Sequence, residues 1–390
     1  MSSVLQCLIN CAPLQRYFLS EVKHDHKSCE LLQSAPKAPP LSTKKSGRTS
    51  RNKICIACEM DRLFLQYYGS AIGEDVLAVL DETPSPSVHR IPKSCADASI
   101  TPKTCGQPLV IPRLLACTWR SAGMKHLAGY DQRDAHEFLQ AFLNTMKKHD
   151  HRCISVAQEM REYSNSFSFN KEKSVVRPVD IVNHLFEGTL RSVLICGKCG
   201  YKRSQPEPFL NISLPLGKDL DNVESCLKHF IQPEELSDVV LCPSCEAKTP
   251  TKKQHTFAKL PKILCLHLKR FDAATNKKIS DPVSFPAKGL DLGPCLPHWS
   301  EVVQGMATAE RISETHKTNG TNPHIYYDLF ATVNHDGTLN QGHYVANVEV
   351  DGKWFHCNDA YVCDAGEGDG KKAVLAENSS AYLLFYSRRQ

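Results

Sequence analysis

The sequence has 390 residues, of which 41% are hydrophobic, and its formal net charge at neutral pH is +5. This length allows one large domain with insertions or two to three packed subdomains, and the apolar content is enough for a core. The small net charge, spread without long basic blocks, argues against nucleic-acid binding, and no apolar run is long enough to span a membrane.

The cysteine content is high, with eighteen in the chain. In a small secreted protein that number would indicate a disulfide scaffold. Here the first residues lack a secretory signal pattern, and several cysteines fall in C-x-x-C pairs. We therefore expect an intracellular protein that binds zinc.

Residues 1–19 begin the chain with apolar side chains at helical spacing and a proline at Pro13. This pattern predicts a short helix that breaks at Pro13 and runs into a second turn. Cys7 and Cys11 are expected to pack as small apolar residues.

A first candidate metal site lies between residues 22 and 58, on both sides of a Lys/Pro/Ser/Thr-rich loop. The candidate ligands are His26, Cys29, Cys55 and Cys58, with His24 as the alternative histidine. Two halves of this kind can supply a tetrahedral zinc site, although buried free thiols are the other interpretation.

The strongest helical pattern is in residues 111–148, where apolar residues recur every three to four positions from Ala135 to Met146. The helix is predicted to begin at Asp131 or Asp134. Asp134 and Glu137 are about one turn apart and share a face. Acidic residues at a helix N-terminus also interact favourably with the helix dipole, so this pair has a purely structural explanation too.

After a polar linker over residues 154–180, two further C-x-x-C pairs follow. They comprise Cys196 with Cys199 and Cys242 with Cys245. Each pair places two thiolates on one turn, and two such turns complete a Zn(Cys)4 site that can fold a small ribbon. A redox pair is the alternative.

Three more elements and one insertion are predicted on both sides of the second C-x-x-C pair. Residues 207–214 are expected to form a strand and residues 223–230 a short helix. Residues 260–271 are mostly apolar, as in a central strand. Residues 298–324 are polar and are interpreted as an insertion.

Residues 327–362 predict an antiparallel meander in which Asp351-Gly352 forms a tight hairpin turn. His343 would begin one strand, and Asn358-Asp359 would end its partner at the same end of the hairpin. The Asn358 side chain could then orient His343 as a general base, with Gly342 leaving room for a close approach. An ordinary surface or packed histidine is the alternative.

Several segments, in the same order, resemble the ubiquitin-specific proteases, which are papain-like cysteine enzymes. The similar segments are Gln341-Gly342-His343-Tyr344, the Trp354-Phe355 and Asn358-Asp359 pairs, residues 381–386, residues 126–144 and the strand ending in Leu268-Lys269-Arg270-Phe271. The resemblance implies an α+β fold with a helical thumb (1–153), zinc-ribbon fingers (181–260) and a β-sheet palm (261–390). The first metal site is similar to that of the SAGA-type deubiquitinating enzymes.

This resemblance implies hydrolysis of the isopeptide bond that follows the terminal glycine of ubiquitin. His343 would be the general base and Asn358 its orienting residue, with Asp359 as a polar support. Some family members carry Asp at the position of Asn358, so either Asn358 or Asp359 could be the third catalytic residue. Asp134 and Glu137 would pair with arginines of the ubiquitin tail.

The first residues resemble the end of the family's cysteine motif, which places the nucleophile two residues before Met1. Two interpretations follow: an active protease whose sequence begins further upstream, or a ubiquitin-binding scaffold without catalysis. The expected partners are ubiquitin, a ubiquitinated protein and SAGA-type module subunits. The expected cofactor is structural zinc, and the expected location is the nucleus, otherwise the cytoplasm.

Overall fold

The computed structural model describes residues 2–18, 56–68, 114, 124–127, 133–148, 180–272, 277–296, 324–338, 341–359, 361–365 and 379–389. The chain divides into two compact units, Met1–Asn183 with His356–Asp364 and His184–Phe355 with Ala365–Gln390. Within the described ranges, no helix is both long and apolar enough to cross a membrane.

The described part of the first unit is mostly helical. Its main helices are α1 (Ser2–Ile9), α2 (Ala12–Phe18), α3 (Ile56–Tyr68) and α4 (residues 135–148). The predicted break at Pro13 is misplaced, because the interruption is at Asn10 and Cys11. Pro13 lies in the first turn of α2, where its missing N–H costs no helical hydrogen bond. Phe18 stacks on Phe64 at 4.7 Å between ring centroids, which joins α2 to α3.

Two further helices follow, α5 (Ile181–Leu185) and α6 (Val223–Phe230). The strands are β1 (Gly188–Cys196), β2 (Lys202–Phe209), β3 (Ile212–Leu214), β4 (Glu234–Glu235), β5 (Val240–Cys242), β6 (Ala247–Thr249), β7 (Thr251–Lys259), β8 (Ile263–Leu268), β9 (Phe271–Asp272), β10 (Lys277–Lys278), β11 (Leu290–Asp291), β12 (Tyr326–Gly337), β13 (Gly342–Val350), β14 (Lys353–Asn358), β15 (Tyr361–Asp364) and β16 (Ala381–Arg388).

These strands build one four-stranded sheet, one eight-stranded sheet and two small ribbons. The four-stranded sheet has the order β2-β1-β7-β4. The eight-stranded sheet has the order β15-β14-β13-β12-β16-β8-β3, with β11 paired to β12. The predicted central strand is confirmed, because every residue of β8 is buried and the strand lies between β16 and β3. The predicted helix at 223–230 is also confirmed, and the Asn222 side chain caps it by accepting a hydrogen bond from the Ser225 amide at 2.7 Å.

The prediction of a single strand over residues 207–214 is wrong. Residues 207–209 end β2 in the four-stranded sheet, whereas residues 212–214 form β3 in the eight-stranded sheet. β2 is an edge strand and contains Pro206 and Pro208, which an edge position tolerates because no partner needs their missing N–H groups. The chain then passes to the second sheet at Leu210-Asn211.

A row of buried polar side chains crosses the middle of the eight-stranded sheet. The Thr332 hydroxyl donates to Asn334 Oδ1 at 2.9 Å, and Asn347 donates to the Thr332 oxygen at 3.2 Å. Asn334 in turn donates to the Ser380 hydroxyl at 3.1 Å. These hydrogen bonds offset the free-energy cost of removing the four side chains from water.

Arg270 is fully buried directly after β8, and its guanidinium bonds to three main-chain carbonyls. Nε donates to Ala381 O at 2.5 Å, and Nη1 donates to Ile279 O at 3.1 Å and to Asp281 O at 3.0 Å. Burial lowers the pKa of Arg270 to about 10, so the group remains charged at neutral pH. One cation therefore joins three separate segments of the second unit.

We expect Arg270→Met to lower the free energy of unfolding by on the order of 3 kcal/mol, since it leaves buried carbonyls without donors. Arg389→Met is the matched control, because Arg389 bonds Asp328 at 2.7 Å while its side chain is 48% exposed. Loss of that surface pair should cost less than about 1 kcal/mol. Urea unfolding of both variants measures the difference, and equal losses would contradict the role given to Arg270.

Candidate functional site

Four cysteine side chains meet at the end of the four-stranded sheet where strand β1 stops. Cys196 ends β1 and Cys199 lies in the turn after it, whereas Cys242 ends β5 and Cys245 lies in the next turn. Their sulfur atoms all lie within 4.8 Å of one another. The two closest pairs are Cys199 with Cys242 at 3.8 Å and Cys196 with Cys245 at 4.0 Å.

This arrangement has the dimensions of a tetrahedral metal site. Sulfur atoms around zinc, with Zn–S bonds of about 2.3 Å, lie about 3.8 Å apart. The observed distances agree with that value, and all four cysteines are free thiols. Four sulfur donors are a set that zinc prefers. The cluster predicted from the two C-x-x-C pairs is therefore present.

The main chain of the first turn is shaped to bring the sulfurs together. The Gly197 amide donates to Pro250 O at 2.8 Å, and a Cβ at Gly197 would lie only 2.8 Å from that oxygen. The Gly200 amide donates to Cys196 O at 2.9 Å, and Gly200 has a φ of +72°. Glycine is favoured at both places, first for close approach and then for left-handed backbone.

Two thiols of the cluster, those of Cys196 and Cys245, differ in their pKa values. A hydrogen bond with the Thr249 hydroxyl, at 3.1 Å, is the main cause that lowers the pKa of Cys196 to about 6. Contacts with the other thiols, Cys199 foremost, raise the pKa of Cys245 to about 12. Thiolates held this close repel one another unless a cation lies between them, and Zn²⁺ would meet that requirement.

The first candidate metal site cannot be built from the described residues. His24, His26, Cys29 and Cys55 lie outside them. Cys58 is described, and it is buried in α3. This site stays a prediction.

The strand pair that carries His343 has the predicted form. β13 and β14 are joined by Asp351 and Gly352, whose φ angles of +50° and +82° are typical of a two-residue hairpin turn. His343 is the second residue of β13 and is exposed, and Asn358 is the last residue of β14. Asp359 follows with a φ of +49°. The contact between His343 and Asn358 stays a prediction.

Asp134 caps helix α4 in the described part of the first unit. Its Oδ1 accepts a hydrogen bond from the Glu137 amide at 2.8 Å, as expected of an N-cap residue. The Glu137 carboxylate is half-exposed and lies 3.3 Å from His126 Nε2. Of the two predicted starts, Asp134 is therefore the one that caps the helix, whereas a binding role for Asp134 and Glu137 stays a prediction.

The two cysteines near the N-terminus pack as predicted. Cys7 and Cys11 are both buried, and burial raises the pKa of Cys11 to about 12. A protonated, enclosed thiol is a poor nucleophile.

One buried residue beside the candidate site was missed by the sequence analysis. His335 is 4% exposed, and its ring lies against Gly342, the residue before His343. The signal was present, because a hairpin between 327–334 and 343–350 places residues 335–337 opposite 342–344. The contact between His335 and Gly342 could be inferred only once the pairing register of the two strands was known.

Comparisons with known proteins agree over the whole chain. The sequence matches the family "Ubiquitin carboxyl-terminal hydrolase" over residues 1–386. It is 29% identical over 396 residues to ubiquitin carboxyl-terminal hydrolase 8 of Saccharomyces cerevisiae, covering 100% of this chain and 68% of that protein. It is 31% identical over 419 residues to ubiquitin carboxyl-terminal hydrolase 22 of Homo sapiens, covering 100% of this chain and 64% of that protein.

Solved structures give the same result. The structure of the SAGA Ubp8/Sgf11/Sus1/Sgf73 DUB module bound to ubiquitin aldehyde contains a similar chain, with a TM-score of 0.63 and 28% identity. The match covers 100% of this chain and 67% of that one. The chain thus spans about two thirds of the length of these relatives.

The predicted α+β, papain-like architecture is confirmed by this similarity, with a helical thumb, a β-sheet palm and fingers that carry the four-cysteine cluster. The family match extends over 386 of the 390 residues. The chain belongs to the ubiquitin carboxyl-terminal hydrolase family.

Proposed function

We propose that this chain is the catalytic part of a thiol-dependent deubiquitinase that hydrolyses the isopeptide bond after the C-terminal glycine of ubiquitin. The family match over residues 1–386 carries the proposal, since it includes both strands of the candidate site. We place the thumb in residues 1–153, the fingers in 181–260 and the palm in 261–390.

In the proposed reaction, His343 accepts the proton of a cysteine thiol, and the thiolate attacks the carbonyl carbon of the isopeptide. The C–N bond breaks as His343 returns the proton to the leaving lysine amine. Water then hydrolyses the thioester. Asn358 holds the imidazole in orientation and Asp359 supports it, although either residue can fill the orienting role.

A ubiquitin-binding protein without catalysis is the second candidate function. The burial of Cys7 and Cys11 favours it, because neither thiol is accessible to a substrate carbonyl. The resemblance of the first residues to the family's cysteine motif also implies that neither of these two thiols is the nucleophile. The two candidate functions therefore differ in whether the protein has an accessible catalytic thiol.

We also propose that zinc is the structural cofactor of the chain. Cys196, Cys199, Cys242 and Cys245 would hold one ion, which would stabilise the fingers without entering the reaction. His26, Cys29, Cys55 and Cys58 would hold another.

The proposed partners are ubiquitin, a ubiquitinated protein and the subunits of a SAGA-type module. The similar solved structures contain Ubp8 with Sgf11, Sus1 and Sgf73. By analogy we propose a nuclear protein that acts on chromatin substrates, in an assembly with related subunits.

Purified protein should hold about two zinc ions per chain. Cys199→Ser should remove one of them and Cys55→Ala the other, because a zinc site that loses a thiolate ligand loses most of its affinity. Cys363→Ser is a matched control, since Cys363 is exposed like Cys199 but lies outside both ligand sets. Elemental analysis decides between these outcomes, and an unchanged zinc content in Cys55→Ala would remove the first site.

Neutralising the acidic pair on α4 should weaken ubiquitin binding. Asp134→Asn keeps the cap, since an amide oxygen also accepts from the Glu137 amide, whereas Asp134→Ala removes cap and charge together. The double variant Asp134→Asn/Glu137→Gln should lose on the order of 2 kcal/mol of binding free energy, about 30-fold in Kd, with an unchanged melting temperature. Calorimetric titration with ubiquitin measures it. Unchanged affinity would leave Asp134 only its capping role.

Labelling by a ubiquitin probe with a thiol-reactive C-terminus separates the two candidate functions. We expect no labelling of protein expressed from Met1, and labelling of a longer protein in which a Gly-Asn-Thr-Cys-Phe segment is added ahead of Met1. In that longer protein, His343→Ala should abolish turnover of a ubiquitin amide, because the thiol loses its base. If the protein from Met1 is labelled, mass mapping identifies the thiol. If no form is labelled, the binding function is favoured.

A further inference from the structure

The ring of His335 occupies the space beside Gly342 where any other residue would place its side chain. A Cβ at position 342 would overlap His335 Nε2 and would lie 2.6 Å from Cε1 of the same ring. It would also lie 2.7 Å from the carbonyl oxygen of Asp336. The main chain just before His343 therefore rests directly on this imidazole.

His335 is itself held firmly, by its main chain and by its ring. Its amide donates to Ser380 O at 2.8 Å, and its carbonyl accepts from Lys278 Nζ at 2.6 Å. Its ring packs edge-on against Phe271 at 5.2 Å and lies 4.6 Å from the ring of Tyr344. A side chain fixed from this many directions makes a rigid support for its neighbour.

Further hydrogen bonds connect His335 to the region of Arg270. The Ile279 amide donates to Arg270 O at 2.6 Å, and the Arg270 guanidinium returns a bond to Ile279 O. Ile279 follows Lys278, the residue that bonds the His335 carbonyl. Hydrogen bonds, together with the peptide link between Lys278 and Ile279, thus connect the buried arginine to His335.

The register shows that His335 and the His343 side chain lie on opposite faces of the sheet. Asp336 pairs directly with His343, and Gly337 pairs with Gly342. Successive side chains of a strand alternate between faces, so His335 shares a face with position 342 and not with His343. Any influence of His335 on His343 must therefore pass through the main chain.

We propose that His335 is a positioning residue, which sets the main-chain position of His343 through its contact with Gly342. As a statement about the general base, this inference rests on the proposed function. The contact explains why position 342 is glycine, although its φ is not in the left-handed region. Without the ring, Gly342 would be free to move towards the space it leaves, and His343 would move with it.

The test follows the His343 imidazole directly, in protein expressed from Met1 and without ubiquitin. The chain has 17 histidines, and with carbon-13 at Cε1 each gives one NMR signal; His343→Gln assigns the one of interest. His335→Ala should displace the His343 signal, and so should Gly342→Ala. In the double variant, the added methyl enters space that the ring has left. The displacement of the His343 signal in the double variant should be smaller than the sum of the displacements in the two single variants.

Val333→Ala is the matched control for a structural effect. Val333 lies on the same strand and face, two residues before His335, and is equally enclosed. It should lower the melting temperature and leave the His343 signal in place. If His335→Ala does not fold, His335→Gln replaces it, because it also removes the ring. A signal that moves no more than in Val333→Ala, or strictly additive displacements, would overturn the proposal.

Turnover gives a second measurement in the longer protein that the probe labels. Misplacement of the base should lower kcat about 10- to 100-fold with little change in KM. A rise in KM at constant kcat would instead assign His335 to substrate binding and overturn the positioning role. If no form turns over, the proposed function fails, and the NMR result still decides whether His335 positions residue 343.

Discussion

The buried charge of Arg270 is the interaction on which the eight-stranded sheet depends most. Burying a guanidinium is costly unless its donors are satisfied, and here three carbonyls from two segments accept hydrogen bonds from it. These carbonyls belong to the first residue of β16 and to the segment after β10. Lys278, the last residue of β10 and the neighbour of Ile279, bonds the main chain of His335. The geometry near His343 is thus tied to a charge in the protein core.

The fingers follow a different physical rule. Around the four cysteines, β5 and β6 form only a two-stranded ribbon, and Val239 and Leu241 are 55% and 64% exposed. Such a small segment buries too little apolar surface to fold by packing alone, so a metal ion bound by the four cysteines would supply most of its stability. The palm depends on hydrophobic burial and internal hydrogen bonds. Removal of a bound metal ion would therefore act on the fingers, whereas a denaturant acts on the packed palm.

Features that depend only on residues close together in the sequence were the part of the fold that could be predicted. Asp351-Gly352 encodes its own turn, and each C-x-x-C pair forms within four residues, so both were found without knowing the fold. Long-range partners were not accessible in the same way. The guanidinium of Arg270 bonds a carbonyl 111 positions away, and the contact of His335 with Gly342 requires a strand register. The division of residues 207–214 between two sheets depends likewise on which strands are their neighbours.

The position of β16 has a consequence for how the protein is made. β16 lies between β12 and β8, although it follows every other strand of that sheet in the sequence. Ribosomes deliver a chain from its N-terminus, so β8 and β12 emerge with unpaired edges that wait for their shared neighbour. Exposed edges of apolar strands invite pairing with other chains. A stop codon before Ala381 would therefore remove a central strand of the sheet and not an edge strand. Every truncated molecule would then expose two unpaired strand edges that can aggregate.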